Sequence, residues 1–137
     1  MVSGLSHLTF IVRDLDRMEA VLTQILGARR VYDSAADTFS LSPERFFVVG
    51  DDDLWLAIME GDPLPTRSYN HVAFQIDEDE YDECLARIRS LHLEFREGRP
   101  RIAGEGRSIY FYDDDNHLFE LHTGTLDARL QAYRSRR

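Results

Sequence analysis

The sequence predicts an α+β fold in which two βαβββ modules pair and form a curved mixed sheet around a cleft. Residues 6–11 (SHLTFI) match residues 70–75 (NHVAFQ) at a spacing of 64 residues. Residues 51–61 match residues 114–124 at a spacing of 63 residues. Two matches at nearly one spacing indicate an internal duplication, and strand and helix periodicities follow in the same order in each half.

Each half begins with a strand and a helix. Residues 8–12 and 72–76 are short, mainly apolar runs, which is typical of strands. Apolar residues then recur at helical spacing through residues 15–26 and 81–91. The helix and the strand therefore have clear patterns at the start of both modules.

Three strands are expected to complete each module. The clearest β-rich segments are residues 46–49, 55–59, 109–112 and 118–122. Residues 50–53 and 113–116 are rich in Gly, Asp and Asn, which favours hairpin turns. The predicted organisation is a single domain, residues 1–137, with modules at about 4–61 and 68–124 and a C-terminal helix at about 126–134.

Composition excludes several classes of protein. The 137 residues are 43% hydrophobic and 30% charged, as in a globular domain, and the net charge of −9 disfavours nucleic acid and anionic membranes. No apolar run is long enough for a membrane span, and charges at residues 13–16 interrupt any signal peptide, so a cytoplasmic protein is expected. Because Cys84 is the only cysteine, a metal must be bound by His and carboxylate groups.

Two histidines and one glutamate form the candidate metal site. His7 and His71 occupy equivalent strand positions in the duplicated halves, and Glu120 lies on the last predicted strand. Two His and one carboxylate suit a divalent first-row ion and leave coordination positions open for substrate or water. Glu120 aligns with Ala57, which cannot bind a metal, so the site is expected to be open and catalytic. Half-buried structural histidines are the alternative, which the duplication disfavours.

Simpler explanations fit the remaining candidates. His92 and His117 are expected to be solvated in a loop and a turn, and His122 shares a strand face with Glu120, which fits either support of that residue or a structural role. Cys84 belongs to an apolar helical stripe and is expected in the core. Trp55 is expected to pack in the core or line the cleft.

A segment rich in glycine and arginine is the candidate anion site. Residues 99–110 (RPRIAGEGRSIY) contain three arginines, and Ser108 and Tyr110 share a strand face. Guanidinium and hydroxyl donors on flexible backbone suit a phosphate or phosphonate. A charged surface loop explains the arginines equally well.

These features together resemble the vicinal oxygen chelate superfamily, which includes glyoxalase and the extradiol dioxygenases, over essentially the whole chain. More narrowly, residues 4–9, 69–74 and 104–113 resemble the fosfomycin-resistance proteins. With residues 115–126 (DNHLFELHTGTL), the resemblance is to the FosX type, a metal-dependent fosfomycin epoxide hydrolase.

The resemblance implies a role for each site residue. His7, His71 and Glu120 would bind one divalent ion, usually Mn²⁺, and Glu44 would be the general base, although the sequence alone favours a turn or helix-start carboxylate at that position. Seven residues would contact the substrate, among which Trp55 lines the cavity and Arg101 is the least closely matched: Thr9, Trp55, Tyr69, Arg101, Ser108, Tyr110 and Arg129. The loop at 99–108 lacks the lysine of the related glutathione-using enzymes.

The implied reaction is hydration of the fosfomycin epoxide to an inactive diol. A thiol transferase that opens the same epoxide with glutathione or a similar thiol, a metal-free drug-sequestering protein and a glyoxalase-like isomerase or dioxygenase are the alternatives. The resemblance also implies a homodimer with shared sites, in which His7 comes from one subunit and His71 with Glu120 from the other.

Overall fold

A computed structural model describes residues 1–37 and 39–136. It divides into two compact units, residues 1–66 with 114–116 and residues 67–113 with 117–137. Each unit contains a four-stranded sheet of mixed direction. The two units are called unit 1 and unit 2 below.

Unit 1 follows the order strand, helix and three strands. Its sheet has the strand order β1-β4-β3-β2, in which β1 and β4 are parallel and the other pairs are antiparallel. The elements are β1 (His7–Val12), α1 (Leu15–Leu26), β2 (Arg29–Asp33), β3 (Glu44–Val49) and β4 (Leu54–Glu60).

The ends of α1 follow from local sequence. The Asp14 side chain accepts a hydrogen bond from the backbone N–H of Arg17 and caps the first turn. Gly27 ends the helix at φ 69°, a left-handed conformation that glycine adopts without steric cost. Between these residues the helix buries one apolar stripe, Met18, Val21, Leu22 and Ile25.

Unit 2 repeats the order and adds a C-terminal helix. Its sheet has the order β5-β8-β7-β6, with β5 and β8 parallel. A 3₁₀ turn (Glu78–Glu80) leads into the first helix of this unit. The other elements are β5 (His71–Gln75), α2 (Tyr81–Ser90), β6 (Phe95–Glu97), β7 (Ser108–Tyr112), β8 (Leu118–His122) and α3 (Leu126–Arg134).

The predicted fold class is confirmed. Both units have the expected strand, helix and three strands, and the helix predicted at about 126–134 is α3. Cys84 is buried and free, as expected of a core thiol. Among the helices of residues 1–37 and 39–136, none combines the length and the hydrophobicity that crossing a membrane requires.

Candidate metal and anion site

Unit 2 brings two of the three predicted metal ligands together. His71 is the first residue of β5 and Glu120 the middle residue of β8, and His71 Nε2 lies 3.0 Å from Glu120 Oε1. The His71 Nδ1 atom donates to the backbone carbonyl of Tyr69 at 2.6 Å, so a neutral ring directs its Nε2 lone pair towards the carboxylate. A lone pair and a carboxylate oxygen at this distance require a cation or a proton between them. Donor atoms about 3 Å apart suit one ion bound at about 2.1 Å from each.

Glu120 is held in its charged form. It is only 4% exposed, and its Oε2 atom accepts a hydrogen bond of 2.5 Å from the Ser108 hydroxyl. Burial alone would raise the pKa of Glu120, but hydrogen bonds from Ser108 and Tyr110 outweigh it and lower the pKa. Because Ser108 engages Oε2, Oε1 stays available for an ion.

The hydrogen bond of Ser108 fixes the orientation of two more side chains. The hydroxyl proton of Ser108 goes to Glu120, so His122 Nδ1, at 2.8 Å, donates to the Ser108 oxygen. The Nε2 atom of His122 then accepts from Arg129 Nη2 at 3.3 Å. Burial, together with Arg101 and Arg129, lowers the pKa of His122 despite the nearby Glu120, which agrees with a neutral ring. His122 therefore supports Glu120 through Ser108.

Arg101 differs from the other arginines of the loop in having buried hydrogen-bond donors without a partner among the described residues. Its side chain is 9% exposed, and Nη2 donates to the Ser108 hydroxyl at 2.9 Å. Nε and Nη1 are buried and have no hydrogen-bond partner in the described part of the chain. Buried donors without partners are costly, and a ligand with several anionic oxygens would satisfy them. A cavity of about 210 Å³ lies beside Arg101 and Ser108.

The other two arginines of the predicted anion segment have structural partners. Arg99 pairs with Glu105, and Arg107 pairs with Glu78 and lies over the ring of Tyr81. The segment therefore combines the two predicted alternatives, an anion site and a charged surface loop, and different arginines serve each. Arg101 lies 3.5 Å from both Glu105 and Glu120, but its Nε and Nη1 donors have no hydrogen-bond partner in the described residues, whereas Arg99 and Arg107 hold the loop in place.

The tyrosines add hydroxyl groups to this face of unit 2. Tyr110 is 4% exposed, and its hydroxyl lies 2.8 Å from that of Tyr69, which is 56% exposed. Burial, the hydrogen bond to Tyr69 and the charge of Glu120 raise the pKa of Tyr110. Tyr110 thus stays protonated at neutral pH and remains a hydrogen-bond donor.

Unit 1 contains His7, Thr9, Glu44 and Trp55. His7 stacks on Trp55 with ring centroids 4.1 Å apart, because register pairs these two residues across β1 and β4. Its Nδ1 atom lies 2.9 Å from the Ser6 hydroxyl, an arrangement that leaves Nε2 free as a donor atom for a metal. Thr9 is exposed on the same face of β1.

Glu44 is the first residue of β3, so the expectation of a turn or helix-start carboxylate is wrong. Its backbone N–H donates to the Ser34 hydroxyl, which joins the end of β2 to the start of β3. The residue is 8% exposed, and within residues 1–37 and 39–136 its carboxylate has no hydrogen-bond or ionic partner. A repeat signal could have identified it, because Glu44 precedes Ser108 by the same 64 residues that separate His7 from His71.

The expectation that His117 is solvated is also wrong. Its side chain is 12% exposed, and Nδ1 lies 2.7 Å from a carboxylate oxygen of Asp113. The backbone N–H of His117 donates to the same carboxylate, which closes the turn between β7 and β8. His92 is exposed in the loop after α2, as expected.

Comparisons with known proteins agree with this architecture. The model of the Glyoxalase/Bleomycin resistance protein/Dioxygenase superfamily matches residues 4–121. Fosfomycin resistance protein FosX of Mesorhizobium japonicum is 58% identical over 95% of this chain and 92% of its own length. Metallothiol transferase FosB of Staphylococcus saprophyticus is 35% identical over 98% of this chain and 85% of its own length.

A solved structure extends the comparison to the whole fold. It is a mutant of FosX from Listeria monocytogenes complexed with Mn(II) and 1S,2S-dihydroxypropylphosphonic acid. The TM-score is 0.87 at 53% identity, over 97% of this chain and 99% of the other. The chain therefore belongs to the glyoxalase/bleomycin resistance/dioxygenase superfamily and, within it, to the FosX group of fosfomycin resistance proteins.

Proposed function

We propose that the chain is a metal-dependent enzyme that hydrates the epoxide of fosfomycin to a diol. The observation that carries this proposal is the pair His71 Nε2 and Glu120 Oε1, 3.0 Å apart, while the Tyr69 carbonyl binds the other ring nitrogen and the Ser108 hydroxyl binds the other carboxylate oxygen. The FosX structure with Mn(II) and a dihydroxypropylphosphonic acid supports it, because water adding across an epoxide produces a vicinal diol.

His7, His71 and Glu120 are the proposed ligands of one Mn²⁺ ion. The Nδ1 atoms of both histidines lie within hydrogen-bond distance of oxygen, on Ser6 and on the Tyr69 carbonyl, so each ring can present Nε2. When bound, the ion supplies Lewis acidity towards the oxygen of the epoxide. Three protein ligands leave coordination positions for substrate.

Arg101, Ser108 and Tyr110 are the proposed central contacts of the phosphonate. Arg101 offers its Nε and Nη1 donors, which have no hydrogen-bond partner among the described residues, and Tyr110 offers a hydroxyl that stays protonated. The remaining proposed contacts are Thr9, Tyr69 and Arg129, with Trp55 lining the cavity. A guanidinium with two free donors is suited to the oxygens of a phosphonate dianion.

Glu44 is the proposed general base. Its carboxylate is mostly buried and has no ionic partner in the described residues, so no neighbouring cation competes for its lone pairs. The water oxygen forms a bond to an epoxide carbon, the ring C–O bond breaks, and Glu44 takes the proton that the water loses. The ring oxygen takes up a proton from solvent as the diol forms, and Glu44 then releases its proton to solvent, so atoms and charge balance.

The proposed active form is a homodimer in which His7 of one subunit completes a site with His71 and Glu120 of the other. Co-refolding His7→Ala with Glu120→Ala tests this arrangement, because mixed dimers then contain one site with all three ligands. We expect partial recovery of activity. Dimers that form without any recovery would show that the site is not shared.

Single-turnover conversion of fosfomycin in ¹⁸O-labelled water, with Mn²⁺ and without thiol, tests the reaction itself. We expect one ¹⁸O atom in the diol and no increase in rate on adding glutathione. Thiol-dependent turnover without labelled diol would instead identify a thiol transferase. Tight binding without turnover would identify a drug-sequestering protein.

A further inference from the structure

Glu105 is a buried carboxylate that the proposed reaction does not use. It is 1% exposed and lies between Gly104 and Gly106, whose φ angles are 89° and 84°. A Cβ atom on Gly106 would lie 2.7 Å from the backbone nitrogen of Gly124, so only glycine allows this close approach. The two glycines let the loop turn the Glu105 side chain into unit 2.

The Glu105 carboxylate accepts hydrogen bonds from three parts of unit 2. Arg99 Nη2 and the Tyr133 hydroxyl each lie 2.5 Å from Oε1, and the backbone N–H of Ile102 donates to Oε2 at 3.0 Å. Hydrogen bonds from Arg99 and then Tyr133 lower the pKa of Glu105 to about 2. Glu105 is therefore charged at neutral pH and joins the loop to α3.

The same carboxylate lies next to two of the proposed phosphonate contacts. Oε1 is 3.5 Å from Arg101 Nη1 and 4.0 Å from Arg129 Nε. On their other sides, Arg101 donates to Ser108 and Arg129 donates to His122. Each of these guanidinium groups thus lies between Glu105 and a residue linked to Glu120.

We infer that Glu105 is a positioning residue for the phosphonate site. Three arginines lie within 4.0 Å of its carboxylate and would repel one another without it. Glu105 holds Arg101 and Arg129 in place while leaving the Arg101 donors Nε and Nη1 without hydrogen-bond partners. Among the described residues, its hydrogen-bond and ionic partners include none of the three proposed metal ligands. This inference rests on the proposed function, because it concerns how the chain binds the phosphonate.

Positioning and simple electrostatics predict opposite effects of removing the Glu105 charge. Loss of a negative charge beside Arg101 raises the local positive potential, which alone would tighten binding of an anion. Loss of positioning lets the guanidinium groups move apart, which weakens binding. The sign of the change in affinity therefore distinguishes the two.

The test is Glu105→Gln, which keeps the size of the side chain and removes its charge. The matched control is Glu83→Gln, on an exposed glutamate that pairs with Arg87 within α2 of the same unit. The measurements are the Kd of 1S,2S-dihydroxypropylphosphonic acid for the Mn²⁺-loaded protein, the Kd of Mn²⁺, and kcat and KM for fosfomycin. We expect at least about a tenfold loss of phosphonate affinity and a matching rise in KM, the scale of one charge-assisted hydrogen bond. The Mn²⁺ affinity and kcat should change less than about threefold, and the control should match the wild type.

Tyr133→Phe provides a second variant, because it removes one hydrogen bond to Glu105 and keeps the ring. It should weaken phosphonate binding in the same direction and by less. Unchanged or tighter phosphonate binding in Glu105→Gln overturns the inference, as does a parallel loss of Mn²⁺ affinity and thermal stability. If Glu105→Gln does not fold, Tyr133→Phe with wild-type phosphonate affinity overturns it. A wild-type protein that binds no phosphonate overturns the proposed function instead.

Discussion

The two units are built on one plan and differ in the chemistry they carry. In each, a histidine opens the first strand, and that strand pairs in parallel with the last strand of the unit. His7 lies opposite Trp55, whereas His71 lies opposite Leu118. The scaffold and the position of the histidine are thus repeated, while the residues around the histidine are not.

The carboxylates occupy different strands in the two units. Glu120 on β8 lies opposite Tyr110, at the position that Ala57 occupies on β4 opposite Phe46. Glu44, which opens β3, takes the place of Ser108, which opens β7. Glu44 in unit 1 and Glu120 in unit 2 therefore occupy non-equivalent positions of the duplicated sheet. The proposed metal ligand Glu120 thus lies in unit 2, and the proposed general base Glu44 lies in unit 1.

Replacing Glu120 with the residue of the equivalent position in unit 1 should have the largest effect. Glu120→Ala removes the carboxylate that faces His71 Nε2, so Mn²⁺ affinity should fall by more than about 100-fold, which exceeds the usual loss for an outer-shell residue. Electron paramagnetic resonance of free Mn²⁺ measures the affinity. Glu97→Ala, at an exposed glutamate of β6, is the control. Full Mn²⁺ binding by Glu120→Ala would contradict the ligand assignment.

Neutralising Glu44, the proposed general base in unit 1, should not change the affinity for Mn²⁺. Glu44→Gln should keep the affinities for Mn²⁺ and fosfomycin, while single-turnover hydration falls by about 10² to 10⁴, the usual contribution of a general base. Glu60→Gln, at an exposed residue of β4, should behave as the wild type. Hydration at the wild-type rate in Glu44→Gln would contradict the proposal that Glu44 is the general base.

The repeated part of the molecule is the part that could be predicted from the sequence. The helix predicted over 15–26 coincides with α1, because a cap at each end and an apolar stripe are local signals. The equivalence of His7 and His71 was visible for the same reason. Composition and periodicity did not indicate Glu44, because an acid after Ser-Pro is ordinary in a turn, and only the resemblance to the fosfomycin-resistance proteins pointed to it.

The arrangement of the loop before β7 could not be predicted. The arginines at 99, 101 and 107 have the same chemistry in sequence. Each of them lies near an acid in the structure, and only the fold shows that Arg101 keeps buried N–H donors without a hydrogen-bond partner. The direction of the hydrogen bonds around Ser108 likewise depends on contacts between residues 12 to 14 positions apart. Long-range contacts of this kind leave no periodic pattern in a sequence.

Arg101→Ala should lower kcat/KM by an intermediate amount. It tests whether Arg101 binds the substrate, in contrast to the arginines that hold the loop in place. Loss of a buried guanidinium with charge-assisted bonds to an anion costs about 1.5–3 kcal/mol, which is about ten- to more than a hundredfold in kcat/KM. Arg96→Ala, at an exposed residue of β6, is the control. The measurement is steady-state kinetics with fosfomycin. Wild-type kcat/KM in Arg101→Ala would contradict the proposal that Arg101 binds the phosphonate.

The smallest predicted effect is a pH-dependent difference in stability, and it distinguishes equivalent loops of the two units. Residue 41, which lies 64 positions before Glu105 in the loop before β3, is an exposed leucine, so unit 1 has no carboxylate at this place. A pH-dependent stabilisation from a carboxylate at this position is therefore expected only in the loop of unit 2.

The pKa of Glu105 falls from its ordinary 4.5 to about 2 on folding, chiefly through Arg99 and Tyr133. A carboxyl group with a lower pKa in the folded state stabilises that state above its unfolded pKa, and the stabilisation is lost as pH falls towards the folded pKa. The free energy of unfolding of the wild type should therefore exceed that of Glu105→Gln by a constant amount between pH 6 and pH 8. The difference should shrink below about pH 4.5 and approach a lower limit near pH 2. Urea unfolding followed by circular dichroism measures both proteins at each pH. Glu83→Gln should follow the wild type throughout, and a difference for Glu105→Gln that is the same at pH 7 and pH 3 would show that the charge of Glu105 does not stabilise the loop.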